Sequence, residues 1–160
     1  MTLYYLGLGS NQDAEINMQR MLVLLQKRFD ELLVSSVVRT EAEGCAAADY
    51  LNAVVCFKSD LSRVQLNQWC KQQEDALGRK RGSLVCHADM DILQVVKRPL
   101  DVSVSSIKEV FFQPLLKQLV SVQSGAGFIP QVETISIKLA TGEELGVKPQ
   151  LIKANAVEVA

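Results

Sequence analysis

Two aspartates, Asp89 and Asp91, stand two positions apart in a segment that otherwise has the composition of a buried strand. Alternate residues of a strand point to the same face, so both carboxylates are expected to project together. Two like charges on an apolar strand are unfavourable unless a positive charge lies between them. Mg²⁺ meets that need, because it binds proteins through one or two carboxylates together with phosphate oxygens. The pair therefore suggests a metal–phosphate site, although the spacing alone favours two solvated aspartates on a strand edge.

A basic segment, residues 78–82, lies just upstream of the aspartates and contains Arg79, Lys80 and Arg81. Its positive charge suits the phosphates of a nucleotide, which strengthens the metal–phosphate hypothesis. An arginine lying between the two aspartates would neutralise them by itself and would count against a bound metal. The net charge of the whole chain is −1, so any phosphate recognition must be local and no nucleic-acid partner is expected.

The composition predicts one globular domain. The 160 residues fit a single domain over residues 1–160, and 48% hydrophobic with 22% charged residues is ordinary for a soluble protein. Four cysteines without a Cys-x-x-Cys pair, and a single histidine, argue against a zinc site. The first residues lack the pattern of a signal peptide, and no apolar run is as long as a membrane span. We therefore expect a cytoplasmic protein with no membrane contact, either a monomer or a weak oligomer.

Hydrophobic periodicity predicts the elements that position these residues. The predicted strands are residues 3–8, 32–38, 50–57, 84–96 and 132–139, and the predicted helices are residues 14–29, 62–77 and 107–122. Residues 41–49 form a loop that is either a substrate lid or a passive connector, and residues 148–160 form a short strand or a frayed tail. The order of elements predicts an α+β fold of the ferredoxin-like class, with a βαββαβ core, helices packed on an antiparallel sheet and a C-terminal extension.

Five sequence blocks occur in order between residues 3 and 93. They are Leu6-Gly7-Leu8-Gly9-Ser10-Asn11, Val38-Arg39-Thr40, Asp49-Tyr50-Leu51-Asn52-Ala53, Glu74-x3-Gly78-Arg79-x-Arg81 and Asp89-x-Asp91-Ile92-Leu93. Each block is weak alone, but the set resembles the 6-hydroxymethyl-7,8-dihydropterin pyrophosphokinase family of folate biosynthesis. The resemblance implies a ferredoxin-like fold and transfer of a pyrophosphoryl group from ATP to the hydroxymethyl oxygen of the pterin, leaving AMP.

The resemblance also implies roles for individual residues. The aspartates Asp89 and Asp91 would hold two Mg²⁺ ions that bridge the phosphates of the co-substrate ATP. The residues implied in catalysis are Asp89, Asp91, Arg79 and Arg81. Those implied in pterin binding are Thr40, Tyr50 and Asn52. Those implied in nucleotide binding are Glu74, Arg79, Arg81 and Ile92.

Three departures from the family pattern keep other hypotheses open. Cys86 replaces an ATP-contacting arginine, the loop before the aspartates is cut to residues 82–85, and residues 108–110 lack the pterin-stacking aromatic. A second hypothesis is therefore a diverged, weakly active or inactive relative that binds a nucleotide, a pterin-like ligand or a protein partner. A third is a purely structural or regulatory module. Nucleotide binding separates the third from the others, and AMP formation separates the first two.

Overall fold

The computed structural model describes residues 1–41 and 48–153. The strands in this part of the chain are β1 (Thr2–Ser10), β2 (Glu31–Val34), β3 (Val38–Thr40), β4 (Tyr50–Ser59), β5 (Asp89–Val96), β6 (Ile137–Lys138), β7 (Glu144–Leu145) and β8 (Gln150–Lys153). The α-helices there are α1 (Ala14–Phe29), α2 (Arg63–Ala76) and α3 (Gln113–Gln123), and three short 3₁₀ turns lie between residues 99 and 112.

β1 lies at the heart of an antiparallel sheet. It pairs with β4 on one side and with β5 on the other, and the sheet continues in the order β5-β1-β4-β2-β8. β3 pairs with the same side of β4 as β2 does, but nearer the start of β4, and β6 pairs with β7 in a separate hairpin. The predicted α+β class with an antiparallel sheet is confirmed.

Helices cover both faces of this sheet, which explains why β1 is apolar along its length. Tyr4, Leu6 and Leu8 face a core built with α1 and α2, whereas Leu3 and Tyr5 face a second core built with α3. The two sets alternate along β1, as the period of a strand requires. β1 is therefore fixed from both sides, and its last residues form a rigid base for whatever lies at that end of the sheet.

The start of α2 is fixed by its own sequence. Ser62 is the N-cap, its hydroxyl accepts a hydrogen bond from the Gln65 backbone N–H, and the Gln65 side chain accepts one from the Ser62 backbone N–H. This reciprocal capping box satisfies two amides that the first helical turn would otherwise leave unpaired. The first turn of α2, and the residues that it presents, are thus held in place.

Some predicted elements differ from the structure in their extent. The helix predicted at 107–122 begins only at Gln113, with Pro114 in its first turn, and Val110–Phe112 just before it forms a 3₁₀ turn. The strand predicted at 84–96 begins at Asp89, and of the strand predicted at 132–139 only Ile137–Lys138 pairs. Residues 150–153 form an edge strand on β2. Most of the predicted lid at 41–49, and residues 154–160, lie outside the described residues.

No helix in the described part of the chain combines the length and the apolar character that crossing a bilayer requires.

Candidate functional site

The end of β1 brings two groups of predicted site residues together. Gly9 pairs with Asn52 of β4 on one side and with Asp89 of β5 on the other. Adjacent strands are about 4.8 Å apart, which separates the Cα atoms of Asn52 and Asp89 by on the order of 10 Å. A Cβ atom at Gly9 would lie 2.8 Å from Asn52 Oδ1 and 3.4 Å from the Tyr50 ring. The missing side chain at Gly9 therefore leaves room for Asn52 and Tyr50 to cover β1.

Three carboxylates converge on the Asp89 side, and we call them the acidic cluster. One oxygen each of Glu74, Asp89 and Asp91 lies within 4.8 Å of the others. Asp89 and Asp91 thus project together, as alternation along the strand predicts. Glu74 reaches them from the last turns of α2 because that helix packs alongside β5. Clustered carboxylate oxygens are the donors that hard divalent cations such as Mg²⁺ prefer.

The acidic cluster holds the Asp91 carboxyl partly protonated near neutral pH. Burial of this carboxyl, followed by the negative charges of Asp89 and Glu74, raises the pKa of Asp91 to about 7. The residue as a whole remains exposed to solvent, so an ion can reach it. A bound cation would remove the part of this shift that comes from the neighbouring carboxylates.

Glu74, which the resemblance assigns to nucleotide binding, has protein partners on both of its carboxylate oxygens. It is only 2% exposed, its Oε2 accepts a 2.7 Å hydrogen bond from the Met90 backbone N–H, and its Oε1 accepts one of 2.7 Å from Arg81. Arg79 lies 3.3 Å from Oε2. Glu74 therefore joins α2 to β5 and holds both arginines, in addition to belonging to the acidic cluster.

The two arginines already have carboxylate partners. Arg79 donates to Asp89 Oδ1 at 2.7 Å and to the Ala88 carbonyl at 3.2 Å. Arg81 pairs with Glu74 at 2.7 Å and more loosely with the exposed Asp75 at 3.4 Å. An arginine thus neutralises part of the acidic cluster, but it does so through Asp89 and Glu74, and the pKa of Asp91 stays high. Asp91 is therefore the carboxylate of the cluster that a further cation would stabilise most.

The three residues that the resemblance assigns to pterin binding, Thr40, Tyr50 and Asn52, lie together, and we call them the Asn52 group. The Asn52 amide donates to the Thr40 hydroxyl, and Asn52 is 2% exposed. Thr40 and Tyr50 are directly paired across β3 and β4. Burial, with nearby Cys86 and Asp89, raises the pKa of Tyr50 to about 12, so its hydroxyl stays protonated at neutral pH. The group offers donors and acceptors next to an aromatic face.

Asn11, the last residue of the first of the five sequence blocks, holds the shortened loop beside the site. Its backbone N–H donates to the Cys86 carbonyl at 2.9 Å, and its amide donates to the Leu84 carbonyl at 2.9 Å. Its side-chain oxygen accepts from the Cys86 N–H at 2.6 Å. Cys86 is buried as a result, and burial raises the pKa of its thiol. The sequence signal for Asn11 was its place at the end of the first of the five blocks, directly after the first strand.

A phenylalanine that the sequence analysis did not assign lies on the same face of β1 as this group. A Cβ at Gly7 would lie 2.6 Å from the Phe112 ring, and Gly7 and Gly9 share one face because they are two positions apart. Phe112 also packs against Phe111, with ring centroids 4.6 Å apart. A buried aromatic ring therefore covers Gly7, two positions before Gly9 on the same face of β1, although residues 108–110 carry no ring.

Ile92 lies in a cleft on the other side of the acidic cluster. The cleft has a volume of about 380 Å³ and is lined by Asp91 and Ile92 from β5 and by Arg63, Val64 and Asn67 from α2. The nucleotide-binding residue predicted next to the aspartates thus borders an open, partly apolar space. The geometry offers room for an organic group beside the acidic cluster.

The comparisons with known proteins agree with this arrangement. A family model described as 7,8-dihydro-6-hydroxymethylpterin-pyrophosphokinase matches residues 5–122, which is more than half of the chain. The matched range contains all of the predicted site residues, from Thr40 to Ile92. No curated protein matches the chain.

Proposed function

We propose a role for each part of the site from the premise that the chain belongs to the 7,8-dihydro-6-hydroxymethylpterin-pyrophosphokinase family. Enzymes of this family use Mg²⁺ and transfer pyrophosphate from ATP to hydroxymethyldihydropterin in folate synthesis. The chain is accordingly an ATP-dependent pyrophosphokinase, with the pterin and ATP as its small-molecule substrates. The roles of single residues, the number of metal ions and the finer fold class are our proposals.

Asp89 and Asp91 are the proposed ligands of two Mg²⁺ ions. The donor set fits, because the carboxylate oxygens of the acidic cluster lie within 4.8 Å of each other and the exposed Asp91 has a raised pKa. Magnesium supplies charge neutralisation for the phosphates when it is bound. Glu74 is a positioning residue in this proposal, since both of its oxygens are already engaged by Met90, Arg79 and Arg81.

Arg79 and Arg81 are the proposed phosphate-binding cations. Arg79 binds Asp89 through one oxygen only, and the remaining donors of its guanidinium can reach a ligand. When the nucleotide binds, Arg79 exchanges part of its contact with Asp89 for a phosphate oxygen, while Glu74 keeps the guanidinium in place. Phosphoryl transfer needs positioning and charge stabilisation more than covalent help, and fixed arginines supply both.

Thr40, Tyr50 and Asn52 are the proposed pterin-binding residues. The bond between Asn52 and Thr40 fixes the orientation of the amide, which then presents a donor and an acceptor to the hydrogen-bonding edge of the ring. The pterin would lie over Gly9, where no side chain is in the way, with its hydroxymethyl group directed across β1 to the acidic cluster. Binding there brings the two substrates into contact.

We also propose that the fold is ferredoxin-like and that residues 1–160 form one domain. The order β5-β1-β4, continued by β2, with α1 and α2 against one face, supports the βαββαβ core. Both hydrophobic cores use residues of β1 and β4, which supports a single domain. The segment from α3 to β8 is then the C-terminal extension.

The convergence of the acidic cluster beside the Asn52 group is the observation that carries these roles. Calorimetry with Mg²⁺ and a non-hydrolysable ATP analogue, with and without the pterin, tests them. We expect Mg²⁺-dependent nucleotide binding that Asp91→Asn abolishes, and pterin binding that Asn52→Ala weakens. Nucleotide binding that is equally strong in EDTA would contradict the metal role of the acidic cluster.

A second candidate function, ligand binding with little transfer, is favoured by one observation. Cys86 is buried beside Tyr50 and offers a neutral thiol where the family resemblance places an arginine. Loss of an arginine that stabilises a transferring phosphoryl group costs about a thousandfold or more in rate. The two candidates differ in AMP formation, which a protein that only binds its ligands does not catalyse.

A further inference from the structure

None of the roles proposed above involves Arg63. It is the first residue of α2, and it lines the cleft beside Asp91 together with Val64, Asn67 and Ile92. Arg63 is exposed, and Val64 presents 66% of its surface to solvent. The cleft therefore combines an apolar wall, formed by Val64 and Ile92, with the guanidinium group of Arg63, an arrangement that suits a flat organic ring.

The cleft leads away from the acidic cluster along α2. Glu74, in the acidic cluster, is eleven positions after Arg63 on the same helix, which corresponds to about 16 Å along the helix axis. If the phosphates of ATP lie at the acidic cluster, as the proposed function requires, the ribose and base extend along this cleft towards the start of α2. Arg63 is then a neighbour of the base, not of the phosphates.

Arg63 is also available for a ligand. Arg79 and Arg81 are held by carboxylates at 2.7 Å, whereas Arg63 forms no salt bridge with any residue in the ranges 1–41 and 48–153. Binding a ligand through Arg63 breaks no ion pair there. The capping box at Ser62 fixes the backbone that carries it.

We propose that Arg63 is a nucleobase-binding residue whose planar guanidinium covers the purine ring of ATP at the outer end of this cleft. A guanidinium stacks on aromatic faces, whereas the ammonium group of lysine has no flat surface. This inference rests on the proposed function and adds the residue that binds the base. At an exposed site such a contact changes affinity by about fivefold.

Calorimetry with two ligands tests the proposal on the full chain. The probes are a non-hydrolysable ATP analogue and inorganic tripolyphosphate, each with Mg²⁺, and the variants are Arg63→Ala, Arg63→Lys and Arg28→Ala. Arg28→Ala is the matched control, because it removes the same charge from an exposed position on α1. We expect Arg63→Ala to weaken the ATP analogue about fivefold and to leave tripolyphosphate unchanged. Arg63→Lys restores less than half of the loss, and Arg28→Ala binds like the unchanged protein.

Four results overturn the proposal, and they differ in what else they affect. Equal affinity of the unchanged protein and Arg63→Ala for the ATP analogue removes the role of Arg63 alone. Equal weakening of both ligands makes Arg63 a phosphate-binding residue, and full rescue by Arg63→Lys makes charge, not stacking, the cause. If the unchanged protein binds neither ligand with Mg²⁺, the proposed nucleotide site fails and the role of Arg63 fails with it.

Discussion

The guanidinium of Arg79 lies 2.7 Å from the carboxylate of Asp89. Asp91, two positions further along the same strand, forms no salt bridge among the described residues, and its pKa is raised to about 7. Two aspartates that look equivalent in the sequence are therefore different in the folded protein. Asp89 is already stabilised by a cation, whereas Asp91 is the one that a metal ion would stabilise most.

This difference predicts the effect of Asp91→Asn on stability without metal. The ordinary pKa of an aspartate side chain is 3.8, whereas the pKa of Asp91 in the folded protein is about 7, so the native state binds more protons between these pH values. Stability therefore falls as the pH rises from about 4 to about 7, and Asp91→Asn removes that loss. In EDTA at pH 8 we expect a gain of about 1 kcal/mol after solvent screening, or about 2–4 °C in Tm.

Two controls accompany the measurement of Tm by circular dichroism. At pH 3.5 the Asp91→Asn variant and the unchanged protein are expected to melt at nearly the same temperature, because the carboxyl is then mostly protonated in both the folded and the unfolded state. Asp89→Asn is expected to gain less than Asp91→Asn at pH 8, because it removes the partner of Arg79. A Tm at pH 8 that is lower in Asp91→Asn than in the unchanged protein would show that Asp91 is not crowded by its neighbours.

Glu74→Gln is expected to destabilise the protein by about 2–3 kcal/mol. The carboxylate is 2% exposed and holds Arg79, Arg81 and the Met90 backbone, so neutralising it leaves partners without their charged acceptor. Urea unfolding measures the change. Asp75→Asn is the matched control, since Asp75 is exposed and meets Arg81 at 3.4 Å only; it should cost less than about 0.5 kcal/mol. Similar losses in both variants would contradict the central place of Glu74.

Alanine substitutions at two glycines of β1 are expected to have different effects, one on pterin binding and the other on the free energy of unfolding. Gly9→Ala places a methyl group 2.8 Å from Asn52 Oδ1, so it displaces the end of a side chain and weakens pterin binding with little effect on unfolding. Gly7→Ala places a methyl group 2.6 Å from the buried Phe112 ring and is expected to cost about 1–3 kcal/mol. Pterin titration and urea unfolding of both variants check this. A Gly9→Ala variant that binds the pterin normally would show that the ligand does not use the Asn52 group.

Asn11→Ala is expected to loosen the loop before β5. The substitution removes the side-chain bonds to Leu84 and Cys86, which leaves two backbone groups to find water instead. Limited trypsin digestion measures the effect, because Lys80 and Arg81 are cleavage sites in this segment. We expect faster cleavage there in Asn11→Ala and unchanged cleavage in Asn67→Ala, an exposed asparagine of α2. Equal rates in both variants would mean that other contacts hold the loop.

Patterns in the sequence correctly predicted the structural features that depend on residues close to each other along the chain. The bounds of α1 agree with the predicted helix at 14–29, because apolar residues recur there at helical spacing. The common direction of Asp89 and Asp91 followed from alternation along a strand. The five blocks of the resemblance also supplied the family that the family model confirms.

Long-range contacts could not be predicted in the same way. Glu74 joins the acidic cluster only because α2 packs along β5, and Phe112 reaches Gly7 only because 3₁₀ turns replace the start of the predicted third helix. Arg79 was expected to face a nucleotide, and its bond to Asp89 depends on how residues 79–88 fold back on the strand. Each of these contacts joins residues of different elements, so the hydrophobic periodicity of one helix or strand cannot predict it.

The release of AMP tests the proposed transfer site most directly. The unchanged protein, Asp89→Asn and Asp91→Asn are incubated with Mg²⁺, ATP and hydroxymethyldihydropterin, and AMP and the pterin diphosphate are quantified by chromatography. We expect the unchanged protein to form both products in equal amounts, and both variants to lose activity by about a thousandfold or more. Product formation that is the same in all three proteins, or AMP formed without the pterin diphosphate, would contradict a transfer site built on these two carboxylates.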